Sequence, residues 1–480
     1  MSSKLAAIKL EAGKRTAVDC FIVSRSIYRR YGEFIYNGIL ALTANRKGDI
    51  HVMENDHTEY RRNWANNYAY GASELQVPEY VEQVQELVTR YPRLKVLGTR
   101  HSFNGVADTA GCHISLRKLN RIIELDTTRR KVTVEAGVRY GDLCQYLHGQ
   151  GFALHNLASL PHITVAGAIA TATHGSGIRN GNLATAVHAM EIVKPDGEAI
   201  VLSRDQQDGD FAGAVVGLGG LGVVVNITLD VMPTFQMSQH VYENLPLSRL
   251  EERIDDVFAG SYSVSLFTDW QEAAFNQVWV KRNLTEQPYT QKGDNYFGAT
   301  PAAVNLHPVP GMGSENCSEQ LGVPGPWHER LPHFRMDFTP SAGEELQSEY
   351  FVRRQDAYAA LCTIAAIRER ISPLLYISEV RTIAQDDLWM SPCYEQDSVS
   401  IHFTWHANWP AVQQVLPLIE EQLAPFHARP HWGKLFTMPP SRLQPLYEKL
   451  PAFRQLLLRY DPQGKFRNVF LDKYIMAHCH

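Results

Sequence analysis

The 480-residue sequence contains no uninterrupted apolar run near the ~20 residues needed to cross a bilayer, so a membrane partner is not expected. It also lacks a basic excess. With 46 Lys and Arg against 51 Asp and Glu, the net charge is -5, and the dense cationic face that displaces counterions from phosphates is missing, which argues against nucleic acid as a partner. Cysteine pairs at metal or redox spacing are absent as well. Seven cysteines, an odd number without any Cys-x-x-Cys, fit neither a disulfide framework nor a zinc site, so no metal and a reducing cytoplasm are expected. Arg29-Arg30 precede a mildly apolar stretch ending at Ala44, but Glu33 and Asn37 interrupt what an export signal would keep apolar throughout. Residues 1–60 therefore read as an amphipathic extension of unknown role.

What is present is a globular composition, 44% hydrophobic and 20% charged, in a chain long enough for two or three domains. Lys95 to Leu97 and Lys131 to Glu135 read as strands, followed by a helix from Tyr140 that stops at Gly149 or Gly151. Glu191-Ile192-Val193 and Ala199 to Leu202 flank Pro195-Asp196-Gly197, a turn that predicts a hairpin. Gly217-Leu218-Gly219-Gly220-Leu221-Gly222 satisfies the G-x-G-x-x-G pattern. The run from Val223 to Val231 behind it is β-branched, however, and a dinucleotide fingerprint needs a helix there, so the match is rejected.

From about residue 236 the text reads as a second domain. Tyr262 to Phe267, Gln277 to Lys281, Leu374 to Ile383 and Val399 to Trp405 are strand-like, and the Ala-rich stretch from Leu346 to Arg370 reads as one long amphipathic helix. A sheet with helices on one face is the expected arrangement. A loop rich in Pro and Gly spans about 300–334, and its Trp327 and Phe334 suggest that it packs down.

Two loops combine glycine, hydroxyl and basic side chains, Gly98 to Phe103 and Ser159 to Gly177, as phosphate-cradling loops do. In the strand ending at Ile383, period two puts Leu375, Ile377, Glu379, Arg381 and Ile383 on one face. Charges are seldom buried unless paired, so Glu379 and Arg381 either form a structural ion pair or face a polar ligand.

These residues resemble the vanillyl-alcohol-oxidase superfamily of flavoproteins and, within it, the alditol and xylitol oxidases. The likeness runs from about Asn63 to Ile475. Its motifs are Gly-Thr-Arg-His-Ser-Phe at 98–103, Ser-Leu-Pro-His-Ile at 159–163, Ala-Thr-His-Gly-Ser-Gly at 172–177, Pro-Gly-Pro-Trp-His-Glu-Arg at 324–330, Ser-Glu-Val-Arg-Thr at 378–382 and His-Trp-Gly-Lys-Leu-Phe at 431–436. The resemblance implies an α+β fold: a two-part FAD-binding domain over 61–235 and a substrate cap over 236–440 with an antiparallel sheet covered by helices. Residues 441–480 would complete the FAD and substrate region.

The resemblance further implies FAD bound covalently through His101, with no second linkage because positions 159 to 165 hold no cysteine. The flavin would lie against Val96, Leu97, Gly98, Thr99, Arg100, His101 and Ser102, then Ser159, Thr164, Gly167, Thr171, Ala172, Thr173 and His174, then Gly222 and Val224. A polyol substrate would meet Ser159, Glu379, Arg381, Thr404 and Lys434, of which Glu379, Arg381 and Lys434 are the expected catalytic set. This donor and acceptor set suits a row of hydroxyls. Small residues beside the ring, Ala158 among them, would govern access of O2, the second substrate. The expected reaction takes the terminal hydroxyl of an alditol to the aldose with release of hydrogen peroxide. An aldonolactone oxidase or dehydrogenase of the same fold and a catalytically silent flavin-binding protein are the rival readings, and the chain is expected to be a monomer or weak homo-oligomer.

Overall fold

A computed structural model of the chain describes residues 42–44, 50–52, 60–206, 209–286, 295–336 and 345–477. It divides into two units, residues 1–56 and 57–480. In the first, Leu42–Ala44 pairs antiparallel with Ile50–Val52. The rest of the extension expected over 1–60, apart from Tyr60, lies outside the described residues. Everything below belongs to the second unit.

Strand β1 (Glu74–Gln76) leads into helix α1 (Val81–Arg90), which buries Val84 and Val88 one turn apart and carries Glu82 and Arg90 at the ends the helix dipole favours. With β2 (Leu94–Val96) and β3 (Cys112–Ile114), β1 forms a parallel sheet in the order β1-β3-β2. A second sheet is antiparallel and holds β4 (Ile122–Asp126), β5 (Lys131–Glu135), β6 (Val187–Val193), β7 (Ala199–Ser203) and β8 (Val223–Asp230) in the order β7-β6-β8-β5-β4. Helices α2 (Tyr140–Gly149) and α3 (Val165–Ala170) lie between β5 and β6. The hairpin expected around Pro195 is β6 and β7, with Gly197 at φ +85° in the turn. A strand does follow the glycine run, as its β-branched residues required.

The third sheet is built from β9 (Gln236–Pro246), β10 (Ser263–Thr268), β11 (Ala274–Asn283), β12 (Glu345–Arg353), β13 (Leu375–Ile383) and β14 (Ser398–His406) in the antiparallel order β9-β11-β10-β13-β14-β12. One face packs on α4 (Ala357–Ala366) and α5 (Trp409–Gln422), through Tyr350, Val380, Ile401 and Phe403 from the strands and Leu361, Ile364, Leu416 and Ile419 from the helices. The opposite face carries polar side chains. After α5, helix α6 (Leu450–Tyr460) and the residues to Ile475 return to the core of the first half, where Phe453, Leu457, Leu471 and Ile475 join Val132, Leu143 and Ile227.

Two expectations are corrected. The stretch from Leu346 to Arg370 is not one helix, because its first part is β12, a 3-10 turn follows over Arg354–Asp356, and only the Ala-rich part is α4. No glycine or proline marks the junction, which let the two elements read as one. In β13 a bulge between Leu375 and Ile377 reverses the alternation, so Leu375 packs towards the helices instead of sharing the face of Glu379. Among the described residues no helix is long and apolar enough to cross a membrane.

Candidate active site

A cavity of about 960 Å³ lies between the loops of the first half and the polar face of the third sheet. Its first wall is made of backbone and small side chains: Val96 through Ser102, Ser159, Thr164, Gly167, Thr171, Thr173, His174, Gly222 and Val224 all line it, with Ala158. Of the residues expected there, only Ala172 does not. Its methyl is buried in the core behind, and its φ of +54° turns the chain at that point. Gly98 and Gly167 flank Thr164 so closely that a Cβ at either would come within 3 Å of the Thr164 hydroxyl. Gly222, at φ +157°, lies where a Cβ would meet the Val193 carbonyl oxygen at 2.5 Å.

His101 stands in this wall with its ring stacked on Trp64, centroids 5.1 Å apart. Burial, reinforced by His162 and Arg100, pushes its pKa down to about 4, so the imidazole is neutral at pH 7. Its Nδ1 is buried without a hydrogen-bond partner. That ring nitrogen is left over for a bound group, and about 960 Å³ lies at the upper end of ligand pockets, room enough for a large cofactor. The first wall thus fits FAD.

The second wall is charged. Glu379 and Arg381 on β13, His402 and Thr404 on β14, and Gln347 and Glu349 on β12 line the cavity, and register pairs Glu379 with His402 and His402 with Glu349. Arg381 Nη2 donates to Glu349 Oε1 at 2.7 Å, and its Nε is 3.6 Å from Glu379 Oε2. Lys434 Nζ donates to Glu349 Oε2 and to His402 Nδ1, both at 2.6 Å. An ammonium can only donate, so Nδ1 of His402 is the acceptor and its Nε2–H donates to Thr404 Oγ1 at 3.0 Å. Glu379 and Arg381 are thus neighbours in a buried ion network that also lines the cavity.

A similar arrangement fixes Glu379. Lys281 donates to the carbonyls of Leu331 and Pro332 and to His333 Nδ1, and His333 Nε2–H donates to Glu379 Oε1 at 2.7 Å. Burial alone would raise the Glu379 carboxyl, but Arg381 and His333 hold it well below the usual range. Burial lowers His333 and His402 to about 4, aided by Lys281 and Lys434 respectively. The segment carrying His333 also grips the first wall, since the N–H groups of His333 and Phe334 both donate to the Ser159 carbonyl. The expected packing of the 300–334 loop is thereby given a purpose.

Glu349, His402, His333 and Lys281 escaped the reading of the sequence. Glu349 was hidden by the helix expected over its strand, although Leu346, Tyr350 and Val352 against Gln347 and Glu349 show period two. His333 and Lys281 carry no local signal, because their partners are 46 to 52 residues away.

Residues 74–203 match the FAD binding domain family, and residues 344–474 match the D-arabinono-1,4-lactone oxidase family. An alditol oxidase from Streptomyces sp. is 47% identical over 412 residues, covering 85% of this chain and 97% of that protein. The L-gulonolactone oxidase of Mus musculus is 27% identical over 439 residues, covering 86% and 97%. Among solved structures, a solvent-stable cholesterol oxidase shares the fold with a TM-score of 0.67 at 15% identity, covering 86% of this chain and 96% of that one. The chain belongs to the vanillyl-alcohol-oxidase superfamily of FAD-dependent oxidoreductases, in the group that includes alditol oxidase.

Proposed function

We propose that the protein oxidises the terminal primary hydroxyl of an alditol of the xylitol or sorbitol type to the aldose, with O2 reduced to H2O2. The observation that carries this reading is the second wall, where an acidic acceptor, two cationic donors and a hydroxyl share one cavity with the neutral His101, whose Nδ1 has no hydrogen-bond partner. FAD, when bound, supplies the hydride acceptor and the passage of two electrons to oxygen. Val96 to Ser102, Ser159, Thr164, Gly167, Thr171, Thr173, His174, Gly222 and Val224 would hold it, with His101 as the point of covalent attachment.

Glu379 Oε1 is occupied by His333, which leaves Oε2 to accept a substrate hydroxyl. Two of the three Lys434 protons go to Glu349 and His402, and the third is free for the substrate oxygen. Lys434 and Arg381 stabilise alkoxide character as the hydride leaves, while Thr404 and Ser159 bind the more distant hydroxyls. Described cysteines 112, 144, 317, 362 and 393 are all free, in keeping with a reducing cytoplasm.

The test is steady-state turnover of the purified, flavin-loaded protein with xylitol, sorbitol and an aldono-1,4-lactone, measuring peroxide and product. Stoichiometric peroxide and aldose from the alditols support the reading. Faster oxidation of the lactone makes the lactone-oxidase reading the right one, and turnover only with an artificial acceptor makes the protein a dehydrogenase.

A further inference from the structure

Glu349 has a fully buried carboxylate at the meeting point of both walls. It accepts from Arg381 at 2.7 Å and Lys434 at 2.6 Å, lies 3.2 Å from His174 Nε2 in the flavin-side loop, and is 3.7 Å from His402 Nδ1. Burying a carboxylate is strongly unfavourable unless charge-assisted hydrogen bonds offset it, and here two do. Burial raises its pKa, but Lys434, His174 and Arg381 together hold it well below the usual carboxylate range. It is therefore an anion at any working pH.

Its two cations are the ones that face the cavity. Buried charges at the second wall come from Glu349 and Glu379 against Arg381 and Lys434, with Lys281 behind His333, while the half-buried Glu345 lines the cavity beside Gln347, from which it accepts a hydrogen bond. His402, His333, His174 and His431 are all pushed down by burial and stay neutral. Without Glu349 the two buried cations at the cavity face Glu379 as their one buried carboxylate neighbour. Such a cavity attracts a carboxylate more than a hydroxyl, whereas a balanced one leaves its donors to neutral oxygens.

We propose that Glu349 is the positioning residue that fixes Arg381 and Lys434 as a rigid pair of donors and cancels their charge, so that the site takes neutral polyhydroxy alcohols and disfavours anionic aldonates. This rests on the polyol reading above and adds to it a rule about substrate charge. Lys434 is the reporter: burial lowers its pKa, and Glu349 is the main group opposing that fall, while Arg381 adds to it and Glu379 opposes it.

The experiment compares the flavin-loaded parent with Glu349→Gln and Glu349→Asp. Xylonate binding at pH 7 is measured by calorimetry, and xylitol turnover is followed across pH. For Glu349→Gln, xylonate should bind about tenfold more tightly than to the parent. The kcat/KM for xylitol should fall about a hundredfold, mostly in kcat, and the alkaline limb of the profile should move down by about one pH unit. Flavin content should be unchanged. Glu349→Asp, which keeps the charge but withdraws it by one methylene, should keep the alkaline limb of the parent and its weak xylonate binding while losing kcat. Unaltered xylonate affinity together with an unmoved limb in Glu349→Gln overturns the proposal. If that variant does not fold, Glu349→Asp decides by its kcat, and a parent-like kcat is the overturning result. Should the parent fail to oxidise any alditol, the polyol reading falls, while the xylonate comparison still judges Glu349.

Discussion

The two walls of the cavity are made of different materials. On one side are loops in which glycines, hydroxyls and turns with positive φ bring the backbone itself to the surface, and among its side chains His101 is neutral, with Nδ1 lacking a hydrogen-bond partner. On the other, three neighbouring strands and Lys434 present charged and imidazole groups oriented by hydrogen bonds to one another and to His333. The loops offer shape, which suits a large planar cofactor held in one place. The strands offer oriented donors and acceptors at the strand repeat, which suits a chain of hydroxyls. Changes in the loop wall should therefore register as loss of flavin, and changes in the strand wall as loss of turnover with flavin retained.

The largest effect expected is all-or-none. In the parent, denaturation and gel separation should leave yellow colour and fluorescence on the polypeptide, and His101→Ala should abolish this. Retention of flavin by that variant would remove His101 as the attachment point. Next come the strand-wall alanine variants of Glu379, Arg381 and Lys434, each of which removes one partner of a buried charged contact and should lose about tenfold to several hundredfold in kcat/KM for xylitol. Their flavin content should stay at the parent level. Glu379→Gln is the sharper probe, and a parent rate with xylitol would reduce the Glu379 and Arg381 pair to structure alone.

A smaller effect is expected from Gly222→Ala. Its Cβ would press on the Val193 carbonyl oxygen, a strand atom that cannot swing aside, so a loss of about 1–3 kcal/mol is expected, together with reduced FAD loading. Polyol KM in the loaded fraction should match the parent; a changed KM would mean that the two walls are not separable. A further effect, seen in acid alone, is on stability. His333 and His402 titrate near 4 when folded and near 6.5 when unfolded, so the unfolded state binds more protons between those values. Stability should thus be flat above about pH 7 and decline as pH falls from 6.5 to 4, by up to about 3 kcal/mol for each ring. A melting temperature unchanged from pH 7 to pH 5 would contradict this.

The same contrast explains what could be read from the sequence. The loop wall is local: Gly98 to Ser102 and Ser159 to His174 each carry their glycines and hydroxyls within a few residues, so composition and motif reveal them, and only the inward turn of Ala172 was missed. The strand wall is legible only where alternation is clean. Glu379 and Arg381 stood out because two charges interrupted an apolar face. Glu349 did not, because alanines beyond Arg354 extended a helical reading back over its strand, and a one-residue bulge misassigned Leu375. His333 and Lys281 are brought to Glu379 by folding alone, from segments with no periodicity in common.

The loop that carries His101 is closed by the other end of the chain: Phe103 N–H donates to the Gly433 carbonyl, and Asn104 donates to those of Trp432 and Lys434. A ribosome working at about 5–20 residues per second adds the second partner on the order of 20–60 seconds after the first. During that interval the nascent chain holds the histidine but not its support. Under the attachment proposed above, flavin linkage would await the arrival of Trp432, Gly433 and Lys434, so a chain cut short of them should stay colourless.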